Sequence, residues 1–155
     1  MQIPIIAIGQ RQPRWANDAV ADFLGRFPAD FAVSLRELKP EPRDGRPTER
    51  IRAAEAERLR ATLPAGCLIV ALDERGRDLT STAFADALAR WRDVGDSPVF
   101  VIGGPDGFSD EFRRGASLLL RLSSMTLPHA LARVVLVEQI YRAWSILNRH
   151  PYHRA

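Results

Sequence analysis

The residues best equipped for chemistry lie at the end of the chain. Tyr141–Ala155 reads YRAWSILNRHPYHRA: an apolar helical pattern breaks at Asn148 and gives way to Arg149, His150, Tyr152, His153 and Arg154. Disordered termini are usually small and polar, and rarely concentrate aromatic, imidazole and guanidinium groups in this way. Such groups stack on bases, move protons and pair with phosphates. Composition alone is equally consistent with a solvated basic tail whose charge suits a helix C-terminus. A metal site is not expected. Pro151 separates His150 from His153, and neither they nor His129 stand beside a cysteine or an acidic ligand cluster.

A second feature is SPVFVIGGPDGFS, Ser97–Ser109, which sets Gly103, Gly104 and Gly107 directly after an apolar run. Gly103 and Gly104 are expected to permit positive φ and to let a ligand approach bare backbone. Taken alone, the loop is better read as a tight turn that needs glycine. GGPDG lacks the GxGxxG spacing of dinucleotide sites, Gly9 stands alone after the first strand, and no Walker A loop is present. In open parallel sheets ligands collect beyond the carboxyl ends of strands. Leu72–Asp73, Ile102–Gly104 and Leu122–Pro128 are expected to be three such ends converging on one pocket. They offer an apolar slot for a purine, backbone groups for its edge and polar groups for a ribose. Asp73 and Asp106 are expected to fix turns beside that pocket, and Met125 to fill an apolar gap. The Arg75-Gly76-Arg77 stretch reads as a solvated turn.

The elements that must position these residues follow from periodicity. Gln2–Ile8 reads as a buried strand. Ala16, Ala19, Val20, Phe23, Leu24 and Phe27 recur at helical spacing. Phe31–Leu38 suits a second strand, and Lys39–Pro47, with its prolines and Gly45, a loop. Thr48 is expected to cap a helix running to about Leu63. Cys67–Leu72 reads as a strand covered on both faces. Phe84, Ala87, Leu88 and Trp91 mark a helix starting at Thr80 or Ser81 and ending near Gly95. Val99–Ile102, a turn of helix over Ser109–Gly115, a strand over Ser117–Leu122 and a helix from about His129 to Leu147 complete the series. Strands alternating with helices imply one α/β domain over residues 1–155, with a mostly parallel sheet of five or six strands between helices. The last helix is apolar around more than one stripe and must be covered on a second side, by another helix of the chain or by another subunit.

Composition sets the outer bounds. The chain has 155 residues, enough for a sizeable core, and its 46% hydrophobic and 26% charged residues suit a globular protein. Ala130–Ala143 is interrupted by Arg133, Glu138, Gln139 and Arg142 and is no membrane span. MQIPIIAIG lacks a basic leader and a cleavage site, and Cys67 has no disulfide partner. The expected compartment is the cytoplasm. Net charge is +3, and Lys39 is the lone lysine. A GC-rich genome explains that arginine bias without function, although arginine also suits RNA contact.

The tail YRAWSI…HPYHR, the upstream IGGPDGFS, the central LSSMTLPH and the turn from Gly9 to Trp15 together resemble the RlmH family of the SPOUT class. The likeness covers the whole chain; the glycine loop is shared by several SPOUT families, whereas the HPYHR ending is specific. The resemblance implies a homodimer with a trefoil-knotted carboxy-terminal half that methylates the third ring nitrogen of a pseudouridine in large-subunit ribosomal RNA, with the ribosome as partner. It implies S-adenosylmethionine against Leu72, Asp73, Gly103, Gly104 and Leu122, with the adenine held by Leu72 and by Ser123, Ser124, Met125, Thr126, Leu127 and Pro128. Ser124 and Met125 vary in type, so only their backbone roles carry over. Methyl transfer from a sulfonium requires alignment and removal of the imide proton of the base. His153 is the candidate base or relay, Arg154 the candidate stabiliser of charge on the ring carbonyls, and Tyr152 a residue to stack on or orient the base. Arg142, Arg149 and His150 are candidates for RNA contact. The rival readings are a non-catalytic ribosome-binding factor with a vestigial nucleotide pocket and a nicotinamide-dependent oxidoreductase, the latter disfavoured by the missing GxGxxG.

Overall fold

In chain order the elements are β1 (Gln2–Ile8), α1 (Arg14–Leu24), β2 (Ala32–Leu38), α2 (Thr48–Thr62), β3 (Leu68–Asp78), α3 (Ser81–Val94), β4 (Pro98–Ile102), α4 (Asp110–Gly115), β5 (Leu118–Arg121) and α5 (His129–Leu147), followed by a turn of 3₁₀-helix at Pro151–His153. This computed structural model describes residues 1–154; Ala155, the last residue of the expected tail and domain, lies outside them. The strands form one five-stranded sheet in the order β2-β1-β4-β3-β5, and every pairing in it is parallel.

Alternation along the strands divides the core in two. Ile3, Ile5, Ala7, Val70, Phe100 and Ile102 face α1, α3 and α5 through Val20, Phe84, Leu88, Leu136 and Ile140. Ile6, Ile8, Ala71, Val99 and Val101 face α2, α4 and the loop before α4 through Ala56, Leu59, Phe112 and Phe108. With helices on both faces, the central strands are apolar throughout; all five residues of β4 are buried.

Local signals place several boundaries well. The Thr80 hydroxyl accepts from the Ala83 amide, and Gly95 closes α3 in the left-handed region at φ 81°. Ser109 caps α4 in the same way. Other expectations need correction. Thr48 is the first residue of α2 rather than its cap, a position held by Pro47 without a side-chain bond. Phe27 falls beyond α1 and packs on the core from the following turn. Arg75, Gly76 and Arg77 form no free turn: β3 runs on through them and pairs again with β5 after a register shift between Leu72 and Arg77. A Cβ on Gly76 would lie 2.7 Å from the backbone of Leu119 and Leu120, so only glycine admits that pairing.

The second apolar side of α5 is largely covered from within, since both α1 and α3 pack on it. The Tyr141 ring lies 6.1 Å from Phe23 and 5.4 Å from Phe27. Leu131, 39% exposed, is the one large apolar side chain of α5 left open. A neighbouring helix therefore supplies most of the cover for which a second subunit was the alternative. None of the described helices is long and apolar enough to cross a membrane.

Candidate functional site

The carboxyl ends of β1, β3, β4 and β5 open onto one cavity of about 1280 Å³. Leu72, Asp73, Gly103, Gly104, Leu122, Ser123, Ser124, Met125, Thr126 and Leu127 all line it, so the three expected segments do converge, although Leu72–Asp73 lies inside β3 rather than at its end. Pro128 stands just beyond, as the N-cap of α5. Leu72, Leu122 and Leu127 supply an apolar wall, and the Ser123 hydroxyl turns the loop by accepting from the Met125 amide at 3.0 Å. Met125 fills no internal gap; it is 76% exposed at the rim. Asp73 lies within β3 rather than in the expected turn, with one carboxylate oxygen taking the Arg75 amide at 2.8 Å and the other the Arg113 guanidinium at 2.6 Å. Asp106 is held likewise, its carboxylate by Arg43 at 3.0 Å and its carbonyl by Arg52 at 2.7 Å.

The reason for the glycines differs from the one sequence suggests. Neither Gly103 nor Gly104 has positive φ; in this loop that conformation belongs to Gly107, at 73°, whose amide closes a turn onto the Gly104 carbonyl at 3.0 Å. A Cβ on Gly103 would meet the Phe108 ring at 3.2 Å. One on Gly104 would meet Glu55 Oε1 at 3.0 Å and Ile8 Cγ2 at 3.1 Å. Both positions are bare because protein atoms occupy the space a side chain would need.

Glu55 is a functional candidate that the sequence pattern hid. It lies on the inner face of α2, 3% exposed, between alanines in an otherwise ordinary amphipathic stretch. One carboxylate oxygen accepts from the Glu41 amide at 3.0 Å; the other has no partner. Burial pushes its pKa up, against the lowering effect of that amide. His129, at the start of α5, also lines the cavity and was not among the expected ligand residues.

The described tail residues, 149–154, do not line the cavity of their own chain. The tail folds back on α5 around Ser145, which has no exposure. The Ser145 hydroxyl donates to the His150 carbonyl at 2.8 Å, accepts from the His153 amide at 3.1 Å and lies 2.8 Å from His153 Nδ1. A hydroxyl has a single proton. With that proton on the His150 carbonyl, Nδ1 of His153 is the donor and its Nε2 carries the free lone pair.

Tyr152 packs within the chain: its ring lies 4.8 Å from that of Tyr141, and its hydroxyl donates to Glu138 Oε1 at 2.9 Å. Burial, then the bond to Glu138, raises its pKa. Arg142 donates to the same oxygen at 2.6 Å and covers the Tyr152 ring at 5.1 Å. Of the three residues expected to contact RNA, Arg142 is thus engaged, and His150 packs on Trp144 at 5.2 Å. Arg149 is exposed, as is Arg154, each in the left-handed region at φ 53° and 47°.

The family model described as predicted SPOUT methyltransferase matches residues 1–153. The ribosomal RNA large subunit methyltransferase H of Bordetella avium (strain 197N) is 51% identical over 156 residues, covering 100% of both chains. That of Ralstonia nicotianae is 50% identical over 99% of each. Among solved structures, a probable methylase family protein from Haemophilus influenzae Rd KW20 superposes with a TM-score of 0.60 at 15% identity, covering 96% of this chain and 69% of that one, a likeness of fold.

Proposed function

The chain belongs to the SPOUT methyltransferase family, and from that premise we propose that it methylates the third ring nitrogen of a pseudouridine in large-subunit ribosomal RNA, using S-adenosylmethionine. One observation carries the reading: the strand ends singled out by sequence line a single cavity beyond the carboxyl edge of a parallel sheet. The residues fit such a cofactor. Leu72, Leu122 and Leu127 suit an adenine, and the Ser123–Leu127 backbone its edge.

When bound, the sulfonium supplies a methyl group to a nucleophilic nitrogen. His153, oriented through Nδ1 by Ser145, uses its free Nε2 to take the imide proton. Arg154, exposed beside it, holds the negative charge that develops on the ring carbonyls. Because the tail is docked away from its own cavity, these residues serve the cavity of a second copy. The proposal therefore includes a homodimer, a single cytoplasmic domain, and the knotted threading of the carboxy-terminal half that the family resemblance implies.

Calorimetry tests the first step. S-adenosylmethionine and S-adenosylhomocysteine should bind and a nicotinamide nucleotide should not; the reverse would overturn the assignment. Mass spectrometry of ribosomal RNA from a deletion strain should show one missing methyl on a pseudouridine, restored by adding the protein and cofactor to its ribosomes. Cofactor binding without restoration would favour a non-catalytic ribosome-binding factor.

A further inference from the structure

Arg133 is the largest of the fully buried side chains, 2% exposed in the first turns of α5. A buried guanidinium persists only where its donors are satisfied. Its Nε–H donates to His129 Nε2 at 2.8 Å, one terminal amine to Glu37 Oε2 at 2.5 Å and the other to the Gly9 carbonyl at 2.7 Å. Those partners come from the first turn of α5, the end of β2 and the residue after β1. Since Nε2 accepts from arginine, the single proton of the neutral ring sits on Nδ1.

We propose that His129 is a positioning residue of the cofactor cavity: its neutral ring accepts from the Arg133 guanidinium that holds the Gly9 carbonyl, a bridge from the segment Ser123–Pro128 to the turn after β1, and its protonation undoes that bridge. This rests on the reading of the cavity as a pocket for a sulfonium nucleoside. The bridge joins two walls of that pocket, because His129 directly follows the Ser123–Pro128 loop while Gly9 follows β1, and both line the cavity. An imidazolium cannot accept from Arg133, and two cations would then face each other in a buried site. The charged groups facing the ring are Arg133 of α5 and, behind it, Glu37 of β2; the turn after β1 presents Gly9. Burial first and Arg133 second hold the His129 pKa below its usual value, outweighing Gly103 and Glu37. The sign follows: the arrangement is intact at neutral pH and is lost as pH falls through that lowered value.

The test is S-adenosylhomocysteine affinity, measured by calorimetry between about pH 8 and 5 for the wild type and His129→Gln. Glutamine can accept from Arg133 without titrating. The wild type should lose roughly tenfold or more in affinity toward the acid end, with His129→Gln following a flatter profile over the same range. Imidazole ¹⁵N spectra of the unliganded protein should show the proton on Nδ1 at neutral pH. Parallel pH profiles for the two proteins, or a proton on Nε2, would overturn the proposal. Should the wild type bind no sulfonium nucleoside at any pH, the assignment of the cavity fails, and the ¹⁵N spectra still decide whether the bridge exists. If His129→Gln does not fold, those spectra on the wild type carry the decision.

Discussion

Replacing Gly104 by alanine separates two explanations for a glycine at the cavity. The added Cβ would stand 3.0 Å from Glu55 Oε1, 3.3 Å from its Oε2 and 3.1 Å from Ile8 Cγ2. Carbon contacts are comfortable only at about 3.5–4.0 Å. Neither neighbour is a loose chain end: Glu55 is tied to the Glu41 amide at 3.0 Å, and Ile8 is 1% exposed in the core. Relief therefore requires packed atoms to move by a few tenths of an ångström. Overpacking of this kind costs about 1–3 kcal/mol. At about 2–4 °C per kcal/mol for a chain of this size, the unliganded protein should melt about 2–12 °C lower. Gly115→Ala is the control. No atom lies within 4 Å of its Cβ position, and its φ is not positive, so it should leave the Tm unchanged or raise it slightly. Differential scanning calorimetry without ligand reads both. In a Glu55→Ala background the two carboxylate contacts disappear, and Gly104→Ala should cost less than it does alone. A Gly104→Ala protein that melts with the wild type, while losing only S-adenosylhomocysteine affinity, would refute the packing explanation and restore the one in which a ligand needs the bare backbone.

Four further outcomes are expected. Ser145→Ala removes bonds worth about 0.5–1.5 kcal/mol each from the tail; methyl transfer should fall while S-adenosylhomocysteine affinity holds and the Tyr152 and His153 amides exchange faster, and an unchanged turnover would refute the orienting role. Arg154→Ala should lower turnover by ~10²-fold or more with cofactor affinity unaltered; a weaker affinity at constant turnover would place Arg154 in binding instead. Mixed dimers of Arg154→Ala and Gly104→Val protomers should regain activity if the tail completes the partner's cavity, because one composite site then escapes both lesions; heterodimers that form and stay inactive would exclude it. Glu55, whose pKa is raised by burial, contributes stability below its unfolded value that is lost as pH rises through the folded one. Glu55→Gln should therefore gain on the wild type in urea midpoint from about pH 4 to pH 8, and matching profiles would show that Glu55 does not titrate between them.

What could be read along the chain was whatever neighbouring residues encode. β1 was legible to the residue because an apolar run buried on both faces needs no partner to declare itself, and α3 because Thr80 and Gly95 punctuate it locally. The pocket-forming ends after Leu72, Ile102 and Arg121 followed from alternation of strands and helices, since a parallel sheet places its loops on one edge. The specificity of the tail motif was likewise a property of consecutive residues. Tertiary structure decided the rest. Asp73–Asp78 looks like a turn because it is polar, and becomes strand only through its pairing with β5, about forty residues on. Gly104 is bare because α2 brings Glu55 against it, and Arg133 is buried because Glu37 lies 96 residues away in sequence and 2.5 Å away in space. The strand order β2-β1-β4-β3-β5 makes those meetings, and it is chosen by the packing of the whole sheet. Periodicity reports which face of an element is apolar. The partner of a buried charge depends on which distant element lies across from it, and no local pattern holds that information.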